Sequence, residues 1–157
     1  MIKYIEGDAT YPKGKGNKII VHICNDIGKW GSGFVMAISK RWHSPKEEYI
    51  KWFESNEKFK LGNVQIVNVT EDIYVANLIG QHKTATIYDY KYIPIRYDAV
   101  ETGLKMIKLK AIELNATVHM PRIGCGLARG KWNIIEDIIN RTLIDNNIDV
   151  TVYDFIE

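Results

Sequence analysis

Apolar and polar positions along this chain switch repeatedly between a period of two and a period near 3.6. Residues 2–6 (IKYIE) alternate and predict a short strand, which Gly7 ends. A loop carrying Pro12, Gly14 and Gly16 follows. Residues 18–24 (KIIVHIC) are almost wholly apolar, the pattern of a strand covered on both faces. Residues 34–42 (FVMAISKRW) predict a helix. A second helix starts at Ser44, with Ser44 as cap, Pro45 at the first helical position and Glu47 returning a bond to the cap. It carries Tyr49, Ile50, Trp52 and Phe53. Residues 63–69 (NVQIVNV) and 73–79 (IYVANLI) predict adjacent strands joined by a short turn, and a polar, Tyr-rich loop covers 81–92. The helix predicted over 97–114 places Val100, Leu104, Ile107, Ala111 and Leu114 on one face. Residues 116–120 (ATVHM) predict a strand running into PRIGCG. Residues 132–143 predict an amphipathic helix with Ile135, Ile138, Ile139 and Leu143 inward, and 149–155 (DVTVYDF) a last strand.

Interleaved strands and helices, with two strands adjacent in mid-chain, predict an α/β protein whose mixed sheet lies between helical layers. Neither a repeat nor a linker interrupts the pattern, so residues 1–157 read as a single domain, long enough to bury a substantial core. The net charge of +2 gives no strong nucleic-acid footprint. Cys24 and Cys125 form no disulfide framework, and two cysteines with four scattered histidines show no zinc spacing. The expectation is therefore no metal, no cofactor and a cytoplasmic setting. No apolar run resembles a signal peptide or could span a bilayer, so no membrane partner is expected.

Two strands end in glycine loops that each precede a helix: NDIGKWGSG after Cys24 and PRIGCGLARG after Met120. In open α/β sheets, ligands bind beyond the carboxyl ends of the strands. Glycine lets backbone N–H groups turn toward a ligand, and such amides with helix N-termini attract anions. Two such loops side by side could hold a diphosphate without many lysines. Each loop alone equally fits a plain strand-to-helix turn. GxxxxGK followed by Ser or Thr is absent, and the first loop reads GxxGxG, so neither a P-loop nor a dinucleotide-binding fingerprint is met.

An ordered set of motifs covers nearly the whole chain: GDAT (7–10), HICND (22–26), WGSG (30–33), QH (81–82), PRIGCGL (121–127) and VYDF (152–155). In this the sequence resembles the macrodomain family, in the branch with the yeast-type ADP-ribose 1″-phosphate phosphatase, the terminal ADP-ribose glycohydrolases and a chromatin-remodeller macrodomain. The resemblance implies a three-layer α/β/α fold with a mixed, roughly six-stranded sheet and an ADP-ribose cleft. It implies that Asp8 accepts a hydrogen bond from the adenine amino group, with the Ala9 backbone beside it and Phe155 packed on the adenine. Trp30, Gly31, Ser32 and Gly33, with Ile123, Gly124, Cys125, Gly126 and Leu127, would hold the diphosphate and distal ribose, and Asn25 would sit near that ribose. Plainer roles fit some of the same residues: a turn cap for Asp8, core for Phe155, a packed hinge for Trp30 and a structural ion pair for Arg122.

The resemblance also bears on chemistry. In the terminal glycohydrolases a Lys attacks the distal ribose and an Asp in the second glycine loop assists; here those positions are Gln81 and Ala128, which counts against that mechanism. The phosphatase-type members carry a His in the strand before the Asn, matched by His22. An imidazole exchanges protons near neutrality, so His22 as base, with Asp26 as the nearest acidic helper, is a coherent catalytic pair. His22 could equally be a strand residue bonded to a neighbouring carbonyl. The partners implied are ADP-ribose or ADP-ribose 1″-phosphate and ADP-ribosylated macromolecules. Two functions follow: a hydrolase of ADP-ribose 1″-phosphate or a related ADP-ribosyl ester, or a non-catalytic ADP-ribose reader.

Overall fold

The computed structural model describes residues 1–156. Six strands form one sheet: β1 (Lys3–Glu6), β2 (Lys18–Asn25), β3 (Val64–Asn68), β4 (Ile73–Gln81), β5 (Thr117–Met120) and β6 (Val150–Asp154). Their order is β1-β6-β5-β2-β4-β3. All neighbours are parallel except β3 and β4, the mid-chain pair joined by a short turn. The mixed sheet and its helical layers are those expected from the sequence pattern.

β2 sits centrally, between β5 and β4, and every residue of it but Ile23 is buried. Its alternating side chains feed two cores. Ile20 and Cys24 pack with Trp30, Val35, Ile38 and Tyr49 under α1 (Phe34–Arg41) and α2 (Ser44–Ser55). Ile19 and Val21 pack into the larger core under α3 (Tyr97–Leu114) and α4 (Trp132–Thr142). The helical faces read from spacing are those that turn inward: Val100, Leu104, Ile107 and Ala111 on α3, Ile135, Ile138 and Ile139 on α4.

The start of α2 differs from expectation. Ser44 lies inside the helix, and the cap position falls on His43, at φ −85°, ψ −27°. A side-chain cap needs an extended residue whose oxygen can fold back onto the first amides. His43 is already helical, so no capping box forms; Glu47 N–H bonds His43 O instead.

Candidate active site

Pairing places the two glycine loops side by side. β2 and β5 are adjacent and parallel, in register through Ile20 and His119, so the loops 26–33 and 121–131 leave the same edge of the sheet. Between them lie two adjoining cavities of about 190 and 290 Å³, which share Gln81 and Leu127 in their walls. Together they fall within the usual range of small-molecule sites, about 300–1,000 Å³. The inner cavity is walled by His22, Gly33, Phe34, Arg122, Gly124 and Gly126, among others, and the outer by Asn25, Lys29, Gly31, Ser32, Thr84 and Ala85. Leu127 reaches across the gap: a Cβ on Gly33 would lie 3.8 Å from its Cδ1.

The second loop is folded tightly on itself. Gly130 N–H donates to Gly124 O at 2.7 Å, and a Cβ on Gly130 would stand 2.4 Å from that oxygen. Gly124 has φ 74°, and a Cβ there would meet Ile95 at 2.7 Å. Both positions thus demand glycine. Arg129 extends this loop's hold to the Tyr-rich loop, donating to the carbonyls of Thr86, Asp89 and Tyr92. Thr84 and Ala85, at that loop's start, form part of the cleft rim.

His22 is 2% exposed and lies in the inner wall. Its Nε2 is 2.5 Å from Asn77 Oδ1 on β4, while its Nδ1 has no partner among the described residues. Trp30 stands edge-on to the ring at 5.3 Å between centroids, with Phe34 tilted at 6.1 Å. This enclosure lowers the imidazole's pKa to about 4, because burial disfavours the charged form more than Asn77 favours it. At neutral pH the ring is therefore uncharged, with one buried lone pair that has no partner among the described residues. An unpartnered buried acceptor costs about 1–3 kcal/mol, so its presence in a cleft wall is informative.

Asn25 and Asp26 both make hydrogen bonds that shape the cleft. Asn25 lines the outer cavity, but its side chain is committed to shaping the first loop. Its Oδ1 accepts from the Ile27 and Lys29 amides and from Tyr49 Oη, and its Nδ2 donates to Lys29 O. Asp26 is not a free base: Oδ2 lies 2.6 Å from His82 Nδ1, and Oδ1 accepts from Lys83 N–H at 2.8 Å. A bulge between Cys24 and Asn25 shifts the register so that Asn25 faces Gln81. Asp26 consequently comes beside His82, 56 residues away in the chain. Reading the sequence found His82 only as part of a motif; its pairing with Asp26 depends on that bulge.

The remaining expected residues divide into three groups. Asp8 and Ala9 follow β1 at the same edge of the sheet. Asp8 Oδ1 accepts from both the amide and the hydroxyl of Thr10 at 2.8 Å, so this residue does close a turn. Its other carboxylate oxygen has no partner among the described residues, and Ala9 is buried. Phe155 lies just past β6 and is 70% exposed, so it is not core. Trp30 points away from the cavities: it is 7% exposed, packs with Tyr49 and donates through Nε1 to Ser39 Oγ. Its ring packs edge-on against His22, and it lines neither cavity, in keeping with the packed hinge read as its plainer role. Ile123 is buried in the inner wall, and Cys125 is half-buried beside it without facing either cavity. Burial pushes both thiols, Cys24 and Cys125, up from their ordinary range, so neither is a nucleophile at neutral pH. Arg122 forms a bidentate pair with Asp154 at 2.7 and 3.0 Å, between the rings of Tyr4 and Trp132. Gln81 and Ala128, the positions that depart from the covalent-lysine pattern, both line the inner cavity.

No family model matches the chain. Among solved structures, a protein of unknown function from Bacteroides thetaiotaomicron is 57% identical over 98% of both chains, with a TM-score of 0.94. Among curated proteins, the mouse chromodomain-helicase-DNA-binding protein 1-like is 31% identical over 98% of this chain, which spans only 18% of that protein's length. The ADP-ribose 1″-phosphate phosphatase of Debaryomyces hansenii is 28% identical over 98% of each, and the human ADP-ribose glycohydrolase OARD1 25% identical over 97% of this chain and 90% of its own. A macrodomain protein from Streptomyces coelicolor is 46% identical over 98% of this chain and 99% of its own, with a TM-score of 0.87. With the glycine-loop cleft at the carboxyl edge of a mixed six-stranded sheet, that similarity over the full length makes this chain a member of the macrodomain family.

Proposed function

We propose that the cleft binds ADP-ribose and hydrolyses an ADP-ribosyl ester, with ADP-ribose 1″-phosphate as the first candidate. The observation that carries the reading is the buried, uncharged His22, whose Nδ1 has no partner among the described residues, in a cavity wall that residues of both glycine loops share. The phosphatase named among its relatives supports the choice of substrate.

On this reading the second oxygen of Asp8 accepts the adenine amino group, and exposed Phe155 folds onto the base. Amides of Gly31, Ser32, Gly33 and of residues 123–127 hold the diphosphate and the distal ribose. A water between His22 and the 1″-phosphate attacks phosphorus. Its proton passes to His22 Nδ1, the bond from phosphorus to the 1″ oxygen breaks, and that oxygen takes up a proton to leave as ADP-ribose. Base assistance of this kind contributes about 10²–10⁴-fold. Amides aimed at the phosphate oxygens stabilise the developing charge. Gln81 and Ala128 supply neither an amine nor a carboxylate, so the covalent-lysine mechanism does not run through those two positions.

The test is release of inorganic phosphate from ADP-ribose 1″-phosphate, run beside a glutamate-linked ADP-ribosyl peptide, with calorimetric titration of ADP-ribose. Turnover of either ester with the wild type, lost in His22→Ala while ADP-ribose still binds, is the expected result. Binding without turnover of either ester would make the protein a reader.

A further inference from the structure

A row of polar side chains crosses the sheet beneath α2, in an otherwise apolar layer. His22, Asn77 and Gln65 occupy paired positions on β2, β4 and β3. Asn77 is fully buried, in the middle of the strand IYVANLIGQ. Burying an amide in an apolar layer is costly unless all of its groups are bonded. Here they are, and the pattern of bonds leaves only one orientation.

Asn77 Nδ2 lies 3.1 Å from the carbonyl oxygen of Pro45 in the first turn of α2. A carbonyl accepts and cannot donate, so the NH₂ end of Asn77 must face it. The same NH₂ donates to Gln65 Oε1 at 3.0 Å. Gln65 is fixed by the same logic: its Nε2 donates to the carbonyl of Glu48, also on α2, at 2.9 Å. Two backbone carbonyls of one helix thus set both amides, and the oxygen of Asn77 is left facing His22 Nε2 at 2.5 Å. An oxygen there requires a hydrogen on Nε2.

We infer that Asn77, held by Gln65 and by the α2 carbonyls, is a positioning residue that fixes His22 as the Nε2–H tautomer and so makes Nδ1 the proton acceptor of the cleft. This deepens the proposed hydrolase reading and rests on it for the catalytic consequence, while the tautomer itself is independent of any activity. A ring free to choose would spend part of its time with Nδ1 protonated, unable to take a proton from water. In the serine-protease triad, a change that imposes the wrong imidazole tautomer lowers kcat by about 10⁴. Burial favours the uncharged ring, so tautomer choice rather than charge decides which nitrogen is basic. Among the described residues the other hydrogen-bonding contact of the ring is Cys24 Sγ, 3.8 Å from Nε2, too weak a partner to set it.

The test uses long-range proton–nitrogen correlation spectra of the full chain labelled at histidine, together with kinetics. In the wild type at pH 7.5, His22 should show Nε2 protonated and Nδ1 unprotonated, and saturating ADP-ribose should leave Nε2 protonated. Asn77→Leu should lose the single-tautomer pattern and lower kcat for phosphate release at least about tenfold with KM little changed. Asn77→Ala, which removes the same acceptor with a smaller side chain, gives the same readout if Asn77→Leu does not fold. Nδ1 protonated in the wild type, or a mixed tautomer in Asn77→Leu with unchanged kcat, would overturn the inference. If the wild type turns over no ADP-ribosyl ester, the hydrolase reading fails. The spectra of wild type and variants then decide the role of Asn77 alone.

Discussion

Two histidines lie on adjacent strands of this sheet, and their differences separate the proposed site from a structural position. His22 on β2 and His119 on β5 are each 2% exposed, and burial lowers each pKa to about 4. His119, toward the amino end of the strands, has both ring nitrogens partnered: Nε2 is 2.7 Å from Thr117 Oγ1 and Nδ1 is 2.7 Å from Tyr153 Oη. Tyr153 in turn accepts the Lys13 amide, so this histidine ties the loop after β1 to the sheet. His22 has one nitrogen partnered and one bare, and it borders the cleft. Equal exposure and a similarly lowered pKa therefore do not make equal roles. The incomplete hydrogen bonding is what marks His22 as a site for a ligand or a reacting proton.

Substitution should separate the two most widely in turnover. His22→Ala is expected to lower phosphate release by about 10²–10⁴-fold, whereas His119→Ala should leave kcat near wild type. Steady-state kinetics on both proteins decide this, and comparable losses would erase the distinction. Stability should, by contrast, respond to both through pH. Each folded-state pKa, about 4, lies below the ordinary value of 6.5, so the unfolded chain takes up these protons first as pH falls. Stability contributed by each neutral ring is thus complete above roughly pH 6.5 and is lost between there and pH 4, on the order of 3 kcal/mol per site. Denaturant midpoints across that range should drop steeply in the wild type, and about half as steeply when either histidine is replaced by leucine.

At pH 7.5 the leucine variants should differ from each other. His119→Leu strands the hydroxyls of Thr117 and Tyr153 and should cost about 1–3 kcal/mol. His22→Leu strands only the Asn77 oxygen while removing an orphan, and should cost about 1 kcal/mol or less. Chemical denaturation measures both, and the reverse order would contradict the hydrogen-bond assignment. The smallest effect is expected at Gly126, where an added Cβ meets nothing within 4 Å. Gly126→Ala should change stability by no more than about 0.5 kcal/mol. It should nevertheless weaken ADP-ribose binding, by about tenfold or 1.4 kcal/mol in a titration.

The elements that could be read from the chain were those whose pattern is local. The apolar run of β2, the helical face of α3 and both glycine loops stand in the sequence as they stand in the fold. What escaped depends on register or on one residue's dihedrals. Asn77 sits inside IYVANLI, where a lone amide gives no hint that His22 and Gln65 lie across from it. Asp26 and His82 meet only because a bulge shifts the pairing of β2 and β4. Ser44 has the chemistry of a cap, but the helical conformation of His43 takes that position. Trp30 sits in a glycine loop, yet it turns inward against Tyr49 rather than toward the cleft.

The most direct measurement is an amide proton–nitrogen titration of the protein with ADP-ribose. The expected result is saturable shifts at Gly31, Ser32, Gly33, Gly124 and Gly126, with Thr117 and His119 unmoved. Shifts confined to the His119 end, or none at saturating ligand, would contradict the assignment of the cleft.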